Sequence, residues 1–133
     1  MTFLLDTSAL SSLMRDESRM ETWMASIPPQ DRLVICTIVR GEILFGLARL
    51  AVGRRRQDLE ARAQGLFHLF DCESIRPEVG DLYASLKLAQ QRRGFSLADN
   101  DLWIAATAIA IEATLVSLDG DFGRIDGLSL IRP

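Results

Sequence analysis

Phe3-Leu4-Leu5-Asp6-Thr7-Ser8-Ala9-Leu10 compresses a strand, a charge and a helix start into eight residues. Three consecutive apolar residues with no alternation read as a short strand buried on both faces. The run stops at a carboxylate. Thr7 and Ser8 are natural caps, and a helix is expected from Ala9 to Met14. The pattern recurs. Leu33-Val34-Ile35-Cys36 reads as a second buried strand, with Thr37 capping a helix from Ile38 to about Leu50. Thr114-Leu115-Val116-Ser117-Leu118 reads as another strand, running into the turn Asp119-Gly120-Asp121-Phe122.

The intervening stretches supply the helices that such strands need. One is expected over Met20–Ser26, before the loop Pro28-Pro29-Gln30-Asp31. Gly53 breaks the chain ahead of a helix from Arg54 to about Phe70, and Cys72–Ile75 is a further short strand. Pro77 suits the first turn of a helix reaching Arg92, with Leu82, Leu86 and Ala89 along one face and Gly94 at its end. Ser96-Leu97-Ala98-Asp99-Asn100 is a turn rich in capping residues, Asp101–Ala113 an apolar helix, and Leu128–Ile131 a last strand. Apolar strands alternating with helices imply an α/β fold: a parallel sheet of four or five short strands covered on both faces. No repeat, linker or low-complexity segment divides the chain, so residues 1–133 are expected to form one domain.

Composition excludes several classes. With 48% hydrophobic and 25% charged residues, the chain is neither disordered nor fibrous. No apolar run approaches the roughly 18 residues that a membrane span needs, and the start of the chain has no basic lead for a signal peptide. A cytoplasmic location is expected. Cys36 and Cys72 each lie in or beside an apolar run and read as buried free thiols. With one histidine, His68, a zinc site has no His pair. The net charge of −3 runs against the basic character usual in nucleic-acid binders. Yet 14 of the 15 basic residues are Arg, which suits bidentate phosphate contacts, although codon bias explains an Arg excess equally well.

Ligands of open α/β sheets sit at the carboxyl ends of the strands. Asp6 follows the first strand directly, Asp119 lies just past the fourth, and Glu42 falls in the first two turns of the helix after the second. Asp101 opens a helix reached from the Gly94 loop. Four acids from distant parts of the chain thus converge on one pocket. Carboxylates so placed repel and take up protons unless a cation compensates. Oxygen-only ligands favour Mg²⁺ or Mn²⁺ over zinc. Such ions lower the pKa of a bound water and stabilise a leaving oxygen, which permits phosphodiester hydrolysis without a histidine base.

Each acid also has a plainer reading. Asp6 could be no more than a helix cap, and Glu42 an ordinary solvated residue. Asp99 and Asp101 compete, because positions two apart point to different sides of a helix. Asp99 as cap and supporting residue, with Asp101 in the first turn, leaves Asp101 facing the pocket. Asp119 is preferred over Asp121 for its closer link to the strand, with Asp121 as an auxiliary. Asp126 reads as a surface residue. Ser8 and Ser117 read as supporting hydroxyls, since no histidine stands ready to activate either.

Taken together, Leu4-Leu5-Asp6-Thr7-Ser8, Thr37-Ile38-Val39-Arg40-Gly41-Glu42, Asp101-Leu102-Trp103-Ile104-Ala105-Ala106-Thr107-Ala108 and Thr114-Leu115-Val116-Ser117-Leu118-Asp119-Gly120-Asp121-Phe122 resemble the motifs of PIN-domain nucleases. The similarity is to the VapC-type toxins of bacterial toxin–antitoxin pairs, and it spans essentially the whole chain in order. It implies an α/β/α sandwich around a parallel sheet. It implies Mg²⁺- or Mn²⁺-dependent cleavage of structured RNA, commonly tRNA or rRNA, by a homodimer held by a VapB-like antitoxin. By motif, Asp6, Glu42, Asp101 and Asp119 take the four acidic positions as catalytic metal ligands, with Asp101 preferred over Asp99.

Arg40, Arg54, Arg55, Arg56, Arg92 and Arg93 are candidate contacts to the RNA backbone. Two alternatives stand beside this reading: a related nuclease acting on DNA, and a non-catalytic partner-binding module working in a repressor complex. A P-loop NTPase is excluded because the single lysine, Lys87, lies between Leu86 and Leu88.

Overall fold

The computed structural model describes residues 1–133. Its strands are β1 (Thr2–Leu5), β2 (Arg32–Cys36), β3 (Asp71–Glu73), β4 (Thr114–Val116) and β5 (Leu130–Ile131). The helices are α1 (Thr7–Met14), α2 (Ser18–Ala25), α3 (Thr37–Ala48), α4 (Arg54–Leu69), α5 (Pro77–Arg93) and α6 (Asp99–Ala110). The strands form one sheet in the order β3-β2-β1-β4-β5. Every pairing is parallel. This is the expected architecture.

Burial explains why the apolar runs become strands. Leu4 pairs with Val34 on one side and Leu115 on the other, and all three are fully buried. Burying each such side chain contributes about 1.5–3 kcal/mol. The chain moves outward from β1 to β2 to β3, then returns past β1 to β4 and on to β5. Right-handed crossovers therefore put α1–α4 on one face and α5–α6 on the other. The reversal occurs between β1 and β4. In open α/β sheets the ligand crevice forms at that switch point, beyond the carboxyl ends of the strands.

The elements leading to that edge are tied down. The Asp6 amide donates to the Val116 carbonyl at 3.0 Å, which extends the β1–β4 ladder one residue past β1. Gly94 ends α5 in the left-handed conformation (φ 75°), which a residue with a Cβ adopts only at a cost. Buried Gln90 accepts a hydrogen bond from the Leu97 amide at 2.7 Å and anchors the loop that delivers α6.

Several local expectations are corrected. Asp6, not Thr7 or Ser8, caps α1: its carboxylate accepts from the Ala9 amide, and Thr7 already begins the helix. Thr37 is likewise the first residue of α3, and its hydroxyl donates to the Glu73 carbonyl at 3.3 Å instead of capping. Ala98 holds the cap position of α6, so Asp99 lies inside the helix. Cys36 is buried, but Cys72 is exposed because β3 is an edge strand with only β2 beside it. β4 stops at Val116, which leaves Ser117 beyond the strand, where its hydroxyl bonds to side chains of the crevice.

Candidate active site

Asp6 is the most firmly held acid of the crevice, at 4% exposure. Its Oδ1 accepts from the Ser8 hydroxyl at 2.7 Å and from the Ala9 amide at 2.9 Å. Its Oδ2 accepts from the Ser117 hydroxyl at 2.5 Å. Each hydroxyl has a single hydrogen, so with both committed to Asp6 the 3.3 Å approach of Ser8 to Ser117 adds no bond of its own. Both hydroxyls are acceptors in turn, Ser8 from the Leu118 amide at 3.0 Å and Ser117 from the Asp119 amide at 2.9 Å. The two serines therefore lock the end of β1 to the loop after β4. Burial pushes the Asp6 carboxyl above its ordinary range, against the hydrogen bonds, which favour the charged form. With two donors on Oδ1 and one on Oδ2, a lone-pair direction remains free on Oδ2.

Asp101 sits half-buried in the first turn of α6. No hydrogen bond offsets its situation. Burial, then the charges of Glu42, Asp119, Asp6 and Asp121, all push its carboxyl up, to about 6. That mutual repulsion is the clearest sign that the fold brings these acids together. Glu42 reaches the opening from α3, with Oε1 accepting from the Thr7 hydroxyl at 2.6 Å and Oε2 from the Asn100 amide at 3.4 Å. Asp119 is exposed and begins the short 3-10 turn Gly120–Arg124, accepting from the Asp121 amide at 2.9 Å. Asp121 is close enough for its charge to act on Asp101.

Asp99, expected to support the site, instead points elsewhere. It pairs with Lys87 at 2.9 Å and accepts from the Tyr83 hydroxyl at 2.9 Å, and these bonds hold its carboxyl below the ordinary range. Among the arginines, Arg55 lies in a depression that extends to Glu42. Arg40 covers the Phe67 ring at 4.4 Å, Arg56 is engaged by Glu60 at 2.6 Å, and Arg93 donates to the Arg124 carbonyl at 2.7 Å. Arg54 and Arg92 are exposed. Thr7 and Asn100 were not anticipated as site residues. Their positions beside Asp6 and Asp101 were the available signal, but their shared partner Glu42 comes from a third element.

The donor set suits a hard divalent cation. It consists of carboxylate oxygens alone, with no His or Cys. Nine salt bridges are distributed over the chain, and none involves Asp6, Glu42, Asp101 or Asp119. No basic side chain therefore pairs directly with the cluster. No three of its acids converge into a ready-made cage. That is compatible with Mg²⁺, which binds through one or two carboxylates and keeps much of its water.

The PIN-domain family model matches residues 3–128. The chain is 30% identical over 135 aligned positions to ribonuclease VapC1 of Haemophilus influenzae strain R2866, covering 96% of this chain and 95% of that protein. It is 30% identical over 130 aligned positions to toxin FitB of Neisseria gonorrhoeae, covering 92% of each. Its fold superposes with a TM-score of 0.89 on a chain of Rickettsia felis VapBC2, solved bound to a promoter DNA fragment, at 21% identity and 98% coverage of both chains. A chain of the DNA-bound FitAB complex superposes with a TM-score of 0.85 at 27% identity, covering 97% of this chain and 93% of that one. The chain belongs to the PIN-domain family, and the relatives it matches there include VapC ribonucleases and a toxin.

Proposed function

We propose that the chain is a divalent-cation-dependent endoribonuclease and the toxin of a toxin–antitoxin pair, acting as one PIN-like domain over residues 1–133. The observation that carries this reading is a carboxylate cluster with no direct basic partner, in which Asp101 is pushed to about 6 by burial and by its acidic neighbours. Asp6, Glu42, Asp101 and Asp119 would hold Mg²⁺ or Mn²⁺. When bound, such an ion supplies an activated water and charge stabilisation for the leaving oxygen of a phosphodiester.

The chain's own residues do the rest. Ser8 and Ser117 fix the Asp6 carboxylate and favour its charged form against burial. Thr7 and Asn100 orient Glu42 from both of its oxygens. Asp101, which no donor restrains, is the acid most dependent on the cation. The relatives' names support an RNA substrate, and the VapBC complexes support a VapB-like antitoxin; tRNA or rRNA as that substrate, and a homodimer, follow from the motif resemblance.

The test is cleavage of total RNA by purified, partner-free protein with Mg²⁺, Mn²⁺ or EDTA, beside Asp101→Asn and a parallel DNA substrate. Cutting of RNA that needs metal and is lost in the variant is expected. Cutting of DNA instead reassigns the substrate. A folded protein that cuts neither sinks the nuclease reading in favour of a partner-binding module.

A further inference from the structure

Beside the acid crevice lies a second opening, a cleft of about 580 Å³ lined by Thr7, Glu42 and Asn100 together with Gly41, Phe45, Gly46 and Arg49 of α3 and its end. Its volume falls within the roughly 300–1,000 Å³ usual for small-ligand sites. Thr7, Glu42 and Asn100 are the hydrogen-bonded set that positions an acid of the crevice, so the cleft and the crevice share a wall. We infer that this cleft seats one unpaired nucleobase of the RNA on Phe45, next to the bond being cut, with Arg49 on an adjoining phosphate. The inference rests on the nuclease reading above.

Phe45 stands one turn after Glu42 on the same face of α3 and is 64% exposed. A lone exposed apolar residue needs no explanation. The surroundings of this one do. The Arg49 guanidinium lies 5.1 Å from the Phe45 ring centroid and has no carboxylate partner, whereas Arg56 and Arg62 on α4 are both paired. The cleft is also widened at a cost. Gly41 and Gly46 lie within a helix, where only proline is less favourable than glycine. A Cβ added at either would meet nothing within 4 Å, so no packing inside the chain calls for glycine there. Both glycines line the cleft, and their missing side chains leave it open.

Aromatic rings with a nearby arginine are how proteins hold single-stranded nucleic acid without reading its sequence. Stacking also works without a favourable overall charge, which suits a chain of net charge −3. Bases inside an RNA helix are already stacked and closed to such a platform, so the seated base must be unpaired. The lining favours a nucleotide over an apolar protein segment. Ile38 and Phe45 are its only hydrophobic members, while the separate groove between α3 and α4 offers Leu44, Leu47, Ala48 and Ala61.

The test is binding of a fluorescently labelled, mixed-sequence single-stranded RNA octamer by fluorescence anisotropy. Asp101→Asn serves as the non-cutting background, and Phe45 and Arg49 are varied within it. Phe45→Ala and Phe45→Leu should each weaken Kd about tenfold or more, and Phe45→Trp should restore it. Arg49→Gln should reduce the slope of log K against log salt by about 0.7 in magnitude, one phosphate contact on a single strand.

Unchanged affinity in Phe45→Ala overturns the inference. So does full affinity in Phe45→Leu, which needs apolar bulk but no ring and marks the face as a protein-docking surface. Circular dichroism of each variant separates these results from misfolding. Cleavage by the wild-type protein is scored independently. RNA cutting with Phe45-independent binding removes the subsite and keeps the nuclease. Phe45-dependent binding without cutting does the reverse.

Discussion

Asp6 and Asp101 flank the same opening, and the chain treats them in opposite ways. Asp6 ends a central strand, is almost wholly buried and receives three hydrogen bonds, two of them from serines that bridge β1 to the loop after β4. Asp101 rides on the first turn of a helix, half-exposed, with four carboxylates acting on it and no donor. One carboxylate is part of the architecture, because removing it would leave buried donors unpaired. The other is held in place by the backbone alone, with no donor or basic side chain paired to it. A crevice built this way keeps a fixed wall and a responsive wall.

The largest expected effect does not separate the two. Asp6→Asn and Asp101→Asn should each lower metal-dependent RNA cleavage about a hundredfold or more, since each withdraws a ligand from an ion that stabilises several kcal/mol of developing charge. Single-turnover assays at saturating Mn²⁺ measure this, and an Asp6→Asn variant of full activity would break the symmetry.

Stability should then divide the walls. Ser117→Ala strips a donor from Asp6 and an acceptor from the Asp119 amide. It should cost about 1–3 kcal/mol in urea denaturation. Asp101→Asn removes repulsion and breaks no bond, so without metal its Tm should rise. A Tm that falls in Asp101→Asn as far as in Ser117→Ala would show that both walls are structural.

The dependence on pH is a smaller effect with a definite sign. Asp101 holds its proton to about 6 when folded and only to about 3.8 in an unperturbed state. The folded protein thus binds more protons than the unfolded chain between those values. The stability from this group is present in full below about 3.8 and gone above about 6. Taking metal-free protein from pH 7 to pH 5 should therefore raise its Tm, and Asp101→Asn should flatten that rise. Over the same range, divalent-ion affinity should fall as the pH drops, because ion and proton compete for one carboxylate.

The smallest effect belongs outside the crevice. Asp99→Asn severs an exposed pair with Lys87 and should leave RNA cleavage unchanged within error. A marked loss of turnover would bring Asp99 into the site.

The legible and illegible parts of this molecule differ for physical reasons. Leu4-Leu5 and Val34-Ile35 read as strands because a doubly covered parallel sheet requires uninterrupted apolar runs. β3 and β5 were placed less well, since short edge strands need no such run and Cys72 could stay in solvent. Helix geometry ranks Asp101 above Asp99, because positions two apart point in different directions, but it leaves a supporting role for Asp99 open until the Lys87 and Tyr83 bonds are seen. Capping was not. Asp6, Thr7 and Ser8 are all competent, and the choice lies in the turn leaving β1. Asp6 caps α1 and lines the crevice at once, so cap and site residue are not alternatives. The Thr7 and Asn100 bonds to Glu42 depend on how α1, α3 and α6 cross, which no single stretch encodes.

The most direct test of a crevice with one built-in and one cation-dependent acid is a thermal melt at pH 7.5 with rising Mn²⁺, for the wild-type protein and Asp101→Asn. The wild type should start lower and climb with metal, and the variant should start higher and respond weakly. Equal Mn²⁺ stabilisation of both proteins would contradict the assignment of Asp101 as the acid that waits for the ion.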